Sequence, residues 1–183
     1  MKYILLLALI IGIVSDNAQT VWDFFRNKGF TNEGAAGVLG NLQHESLMKS
    51  VIYEFSKQKE LGNISAEEYV KRVNSGKISK DKFISDGVGF GLAQWTYKTR
   101  KAALYEKCKG KIGDLSCQLK YLWTELSSSE YSSLIKYLKE KGHSVDSCTK
   151  KFMREFERPA TEEYNSRLTY AKQFYKRFTG KSA

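Results

Sequence analysis

A carboxylate stands where a buried helix face should continue. In "GVLGNLQHESLM", Gly37 to Met48, the residues Ala35, Val38, Leu39 and Leu42 recur at the i, i+3, i+4, i+7 spacing of one face, and Glu45 falls on that face. An apolar setting disfavours a charged carboxyl, and a protonated carboxyl is what a general acid hands over. The alternatives are that the helix has ended and Glu45 is solvated, or that Glu45 pairs with a buried arginine. A second group lies in "ISDGVGFGLAQWT", where Gly87, Gly89 and Gly91 alternate. Glycine at alternate positions marks close approach of a partner to the backbone. Exposed amides, a side-chain amide and flat rings suit a groove for a polar sugar polymer, with Gly89, Phe90, Gly91, Gln94, Trp95, Thr96 and Tyr97 as the substrate-binding candidates; the alternative is a tight turn followed by a core tryptophan. Paired acids flank the bond in most glycoside cleavage, and Asp86 is the candidate second carboxylate. Asp-Gly is also ordinary turn chemistry, and Glu54 is a further candidate for the role.

Other chemistries fit poorly. His44, Glu45 and Ser46 are adjacent, so on a helix their side chains diverge and cannot form a triad. Two histidines and no C-x-x-C pattern argue against a structural zinc site, and no nucleotide-binding glycine motif is present. No cofactor is expected.

The elements that must position these residues are helices. "TVWDFFRNKG" reads as a helix capped by Thr20, with Asp23 completing a capping box and Gly29 ending it. The next helix is capped by Thr31, and its glycines 34, 37 and 40 form a flat ridge that something must approach closely. "SAEEYVKRVNSG" carries Ser65 and Glu68 as a capping box. From Thr96 onward, helical stripes run through Leu115–Leu126, Leu134–Leu138, Val145–Phe156 up to Pro159, and Leu168–Phe178. The expected fold class is mainly α, with a small β-hairpin or irregular glycine-rich loop near residues 78–95.

Composition bounds the rest. The 183 residues carry a formal charge of +10, suited to anionic surfaces, although the lysines are scattered as on any solvated surface. "MKYILLLALIIGIVS" has the layout of a secretory leader, so residues 1–18 are expected to be removed, with cleavage between residues 15 and 20. The remaining 19–183 is expected to be one exported, monomeric catalytic domain that does not stay inserted in a membrane. Cys108, Cys117 and Cys148 then allow one disulfide and leave one thiol, without fixing the pairing. Asn63-Ile64-Ser65 is a glycosylation pattern wherever the cell provides for it.

The stretches "AAGVLGNLQHES", "GFGLAQWTYKTR", "QLKYLWTEL" and "FERPA" resemble the phage tail lysozyme family across residues 20–178. The resemblance implies a helical, lysozyme-like fold that cleaves the sugar backbone of peptidoglycan. It places the catalytic acid on Glu45 and the groove motif on Gly89 to Thr96. Asp86 does not come from the resemblance. The leader and the cysteines depart from a tail component and suggest a free-standing enzyme.

Three functions follow as expectations. The first is a secreted muramidase acting on the MurNAc–GlcNAc β-1,4 bond, with bacterial peptidoglycan as partner and no nucleic acid. The second is a lytic transglycosylase, which needs no second carboxylate and leaves 1,6-anhydro ends. The third is a non-catalytic cationic wall-binding or membrane-active protein. Glu45→Gln is expected to change stability little or even improve it, on the view that a neutral amide replaces a buried carboxyl.

Overall fold

The computed structural model describes residues 17–183. The expected leader lies outside them except for its last two residues, which are helical. In chain order the helices are α1 (17–27), α2 (Asn32–Ser46), α3 (Ala66–Asn74), α4 (Lys80–Ser85), α5 (Lys98–Lys107), α6 (Leu115–Leu126), α7 (Ser132–Lys139), α8 (Val145–Phe152) and α9 (Tyr164–Thr179). The chain is mainly helical and lysozyme-like. It divides into two compact units. One is the described chain up to Met48 together with Leu126–Ala183, and the other is Lys49–Glu125.

In the first unit α2 is the central helix. Thr31 Oγ1 accepts from the Gly34 N–H at 2.9 Å, the expected cap. Helix α2 is buried on nearly every side from Gly34 to Leu42, because its glycines let neighbours reach backbone contact. A Cβ on Gly34 would lie 2.2 Å from the Leu138 carbonyl oxygen of α7. On Gly37 it would lie 2.8 Å from the carbonyl carbon of Cys148 in α8, and on Gly40 2.5 Å from the Arg167 carbonyl oxygen of α9. The partner of the glycine ridge is therefore three helices of the same unit. Helix α1 anchors through Trp22, stacked 4.6 Å from Phe178, and through the fully buried Phe25. Thr20 is not its cap: the helix already runs at residue 17, and Asp23 accepts from Gln19 at 2.9 Å instead. Gly29, at φ +87°, ends it as expected.

In the second unit Ser65 caps α3 by accepting from the Glu68 N–H at 3.2 Å. Only half the capping box forms, since the Glu68 carboxylate goes to Arg72 at 2.6 Å. The region near 78–95 is α4 followed by an irregular loop. Its sheet-like pairing is limited to the isolated antiparallel bridges Tyr53–Phe90 and Phe90–Trp95. Tyr69, Phe83 and Phe90 pack ring to ring at 5.7–6.1 Å beneath this loop. A Cys108–Cys117 disulfide joins the end of α5 to the start of α6, and Cys148 in the first unit remains a free, buried thiol.

Candidate active site

The candidate residues are divided between the two units. In the first, Glu45 lies in the last turn of α2, just before Leu47 turns the chain into the left-handed region. Its side chain is 19% exposed, and Oε1 accepts a 2.6 Å hydrogen bond from Arg167 Nη2, whose own side chain is 2% exposed. Of the sequence-level alternatives, the buried arginine is the one present. Arg167 also donates to Asn41 Oδ1 at 3.1 Å, one turn earlier on α2. Asn41 in turn donates to the Gly37 and Thr149 carbonyls at 2.8 and 3.1 Å. The guanidinium is thus fixed by α2, and it fixes one carboxyl oxygen. Oε2 of Glu45 accepts no hydrogen bond among the described residues.

His44 points from the same turn to α9. Nδ1 is 3.0 Å from Ser166 Oγ, and Nε2 is 3.1 Å from the Glu163 carboxylate. An Nε2 proton would serve the Glu163 carboxylate, while the Ser166 hydroxyl donates to the Glu163 carbonyl at 2.9 Å. Partial burial, and then the Arg167 charge, hold its pKa below the ordinary value of 6.5 against the opposing pull of Glu45 and Glu163. The side chains of adjacent His44 and Glu45 diverge as expected, yet both tie α2 to α9.

The second unit holds the glycine-rich segment. Gly91 sits at φ +73°, where Gln118 leaves no space: an added Cβ would meet its amide oxygen at 2.7 Å. That oxygen accepts from the Leu92 N–H at 2.8 Å, while the amide nitrogen donates to the Ser50 and Ile112 carbonyls at 2.9 and 2.6 Å. Glu125 performs the same service two turns later. It accepts from Trp95 Nε1 at 2.7 Å, Arg100 Nε at 2.7 Å and the Tyr121 hydroxyl at 2.9 Å. The "GFGLAQWTYKTR" and "QLKYLWTEL" stretches are therefore one hydrogen-bonded assembly.

The predicted groove residues separate accordingly. Gly89, Phe90, Gly91 and Trp95 are buried, and the Phe90 and Trp95 rings are wholly inside. Gln94 is half-buried, and Thr96 and Tyr97 are exposed, Tyr97 by 72%. Only these last three offer side chains to a ligand.

The Asp86 side chain is 3% exposed and fully engaged. Oδ1 accepts from Lys101 Nζ at 2.5 Å and from the Val88 N–H at 2.9 Å, and Oδ2 accepts from the Tyr69 hydroxyl at 2.5 Å. Lys101 is itself fully buried. Desolvation lowers its pKa, against the opposing pull of Asp86. Burial first, and then the Asp86 charge, push the Tyr69 hydroxyl far up. Glu54 is differently placed. Its N–H donates to the Gly89 carbonyl at 2.8 Å, which sets it beside the glycine-rich segment, and its carboxylate accepts from Ser56.

Arg167, Gln118 and Glu125 were not singled out from sequence. The signal for Arg167 was available: Arg167, Ala171 and Phe174 follow the i, i+4, i+7 spacing and are all buried, whereas Leu168, which begins the expected stripe, is only half-buried. Gln118 and Glu125 gave no signal, since polar residues on a helix ordinarily face water.

Two comparisons bear on this arrangement. The phage tail lysozyme family matches residues 16–178, nearly the whole described chain. Morphogenesis protein 1 of Bacillus phage B103 is 26% identical over 172 residues, a match covering 91% of this chain and 40% of that protein. The chain thus spans about two fifths of the length of this relative. With a match over that extent, the chain belongs to the phage tail lysozyme family.

Proposed function

We propose that the protein cleaves the glycan backbone of peptidoglycan at the MurNAc–GlcNAc β-1,4 bond, with Glu45 as general acid. The observation that carries this is the asymmetric hold on Glu45: Arg167 fixes Oε1, while Oε2, in a side chain still 19% exposed, accepts no hydrogen bond among the described residues and is free to meet the leaving oxygen. Family membership supplies the substrate class. Gln94, Thr96 and Tyr97 are the groups of the glycine-rich segment that can meet the glycan, Tyr97 by stacking and the other two by hydrogen bonds. The Cys108–Cys117 disulfide supports an oxidising, extracellular destination.

Asp86 is better assigned to structure than to catalysis, because an enclosed carboxylate with three donors cannot position water. That favours a second reading, a lytic transglycosylase in which the muramyl hydroxyl attacks and no second carboxylate is needed. A hydrolase would draw on Glu54 instead. The test is mass spectrometry of digested, purified peptidoglycan. Reducing ends indicate the muramidase and 1,6-anhydro ends the transglycosylase. Glu45→Gln should lower turnover by a factor on the order of 10²–10⁴. Wild-type turnover by that variant sinks the assignment. Loss of activity in Glu54→Gln, with reducing-end products in the wild type, makes Glu54 the second carboxylate.

A further inference from the structure

At the far end of α2 from Glu45, the corner between α1 and α2 and the corner between α7 and α8 enclose a cavity of about 740 Å³. At a rise of about 1.5 Å per residue, the 15-residue α2 separates this cavity from Glu45 by ~20 Å. The corners are tied together, since the Thr31 N–H donates to the Leu138 carbonyl at 3.0 Å. The walls carry three cations, Arg26, Lys139 and Lys141, against one carboxylate, Glu33, which already accepts from the Tyr175 hydroxyl at 2.9 Å. Arg26 donates to the Phe30 carbonyl, which points its guanidinium along the wall. His143 stacks on Tyr137 at 3.5 Å between centroids, and its Nε2 is buried without a hydrogen-bond partner, 3.5 Å from Glu140. The cavity also takes in the first residues of α2 and the cap of α8, the positive ends of both helices.

We propose that this cavity is an anion-binding site for a phosphodiester-linked polyanion. Phosphate fits better than a single carboxylate, because two of the three cations can take the two non-bridging oxygens of one phosphodiester and the third can meet the next phosphate along the chain. An open mouth bounded by exposed Lys139 and Lys141 suits one unit of a chain that continues in both directions. Such a site would hold the protein on a wall that carries phosphate polymers, leaving Glu45 to act elsewhere on the same surface. Only this last step rests on the proposed function.

Calorimetric titration with tripolyphosphate tests the site without using activity. The variant Lys139→Glu/Lys141→Glu is compared with Lys172→Glu/Lys181→Glu, which changes the net charge equally at exposed positions of α9 and the residues after it. We expect one bound tripolyphosphate per chain. Affinity should fall about tenfold or more in the first variant, the worth of one lost charge-assisted contact, and change little in the second. Thermal melts of both variants confirm folding, and Lys139→Gln/Lys141→Gln gives a milder change should the glutamates disturb the corner. Absence of binding, or an equal loss in both charge variants, overturns the site. A parallel sedimentation assay uses walls before and after removal of their phosphodiester polymers. Retention that depends on those polymers in the wild type and not in the cavity variant supports polymer as the natural source. Tripolyphosphate binding without such dependence overturns the polymer and leaves a site for small phosphates.

Discussion

Glu45 keeps its place on the buried face because Arg167 is there to meet it, and that pairing changes the expected cost of replacing Glu45. From sequence, Glu45→Gln replaces a buried carboxyl by an amide at little cost. In the structure the change strips a 2%-exposed guanidinium of its counter-charge, and loss of one partner of a buried charged pair is destabilising. Glu45→Gln should lose roughly 1–3 kcal/mol in a denaturant melt, alongside its loss of turnover. An unchanged midpoint would mean that Arg167 finds another acceptor. Arg167→Met removes both the charge and the anchor for Oε1. It should therefore lower turnover more than wall binding.

His44 adds a pH dependence of its own. Its folded pKa lies below the unfolded value of 6.5, so the unfolded chain binds more protons as pH falls through that value. This contribution to stability is present above about pH 6.5 and is lost as pH falls toward the folded pKa. His44→Gln should flatten the fall in stability between pH 7 and pH 5 seen by thermal melts. A slope identical to wild type would place the acid sensitivity elsewhere.

Among the elements, α2 was the most legible from sequence and the glycine-rich loop the least. Helical spacing, the Thr31 cap and the glycine ridge all survive in the structure because each depends on residues within one helix and its cap. The ridge also sets a prediction. Gly37→Ala gains about 1 kcal/mol of helix propensity yet forces a methyl to within 2.8 Å of the Cys148 and Thr149 backbone, and overpacking costs about 1–3 kcal/mol. Net destabilisation is expected by denaturant titration, and a more stable variant would refute the tight packing of α8 on α2. The loop was less legible for the opposite reason. Spacing left Trp95 between groove and core, and Glu125, thirty positions along the chain, turns it inward while Gln118 pins the backbone at Leu92. Periodicity does not register such partners. It likewise gave no hint that Lys101 and Tyr69 would enclose Asp86.

For the whole molecule, charge and disulfide decide its behaviour in solution. Net charge of +10 should make wall binding fall as ionic strength rises from 0.01 to 0.15 M, since the screening length shrinks from about 30 to about 8 Å. Thiol counting on the denatured, unreduced protein should find one group, Cys148, whose pKa burial pushes up to about 12 in the fold. Reducing Cys108–Cys117 should lower stability by about 2–3 kcal/mol, as expected for a loop closed over so few residues.

The chain closes its first unit from both ends, for α2 and α9 meet only after all of Lys49–Glu125 has been made. During synthesis the second unit, continuous in sequence and holding its own disulfide, can assemble first. The first must wait, with the α2 face open, for α9 to emerge. A nascent chain halted before α9 therefore carries Glu45 without Arg167, so that the acid is completed only by α9. Ribosome-stalled chains ending at residue 160 should be quickly digested by protease up to Met48 while Lys49–Glu125 resists. Timed release of the last residues should restore resistance and turnover together.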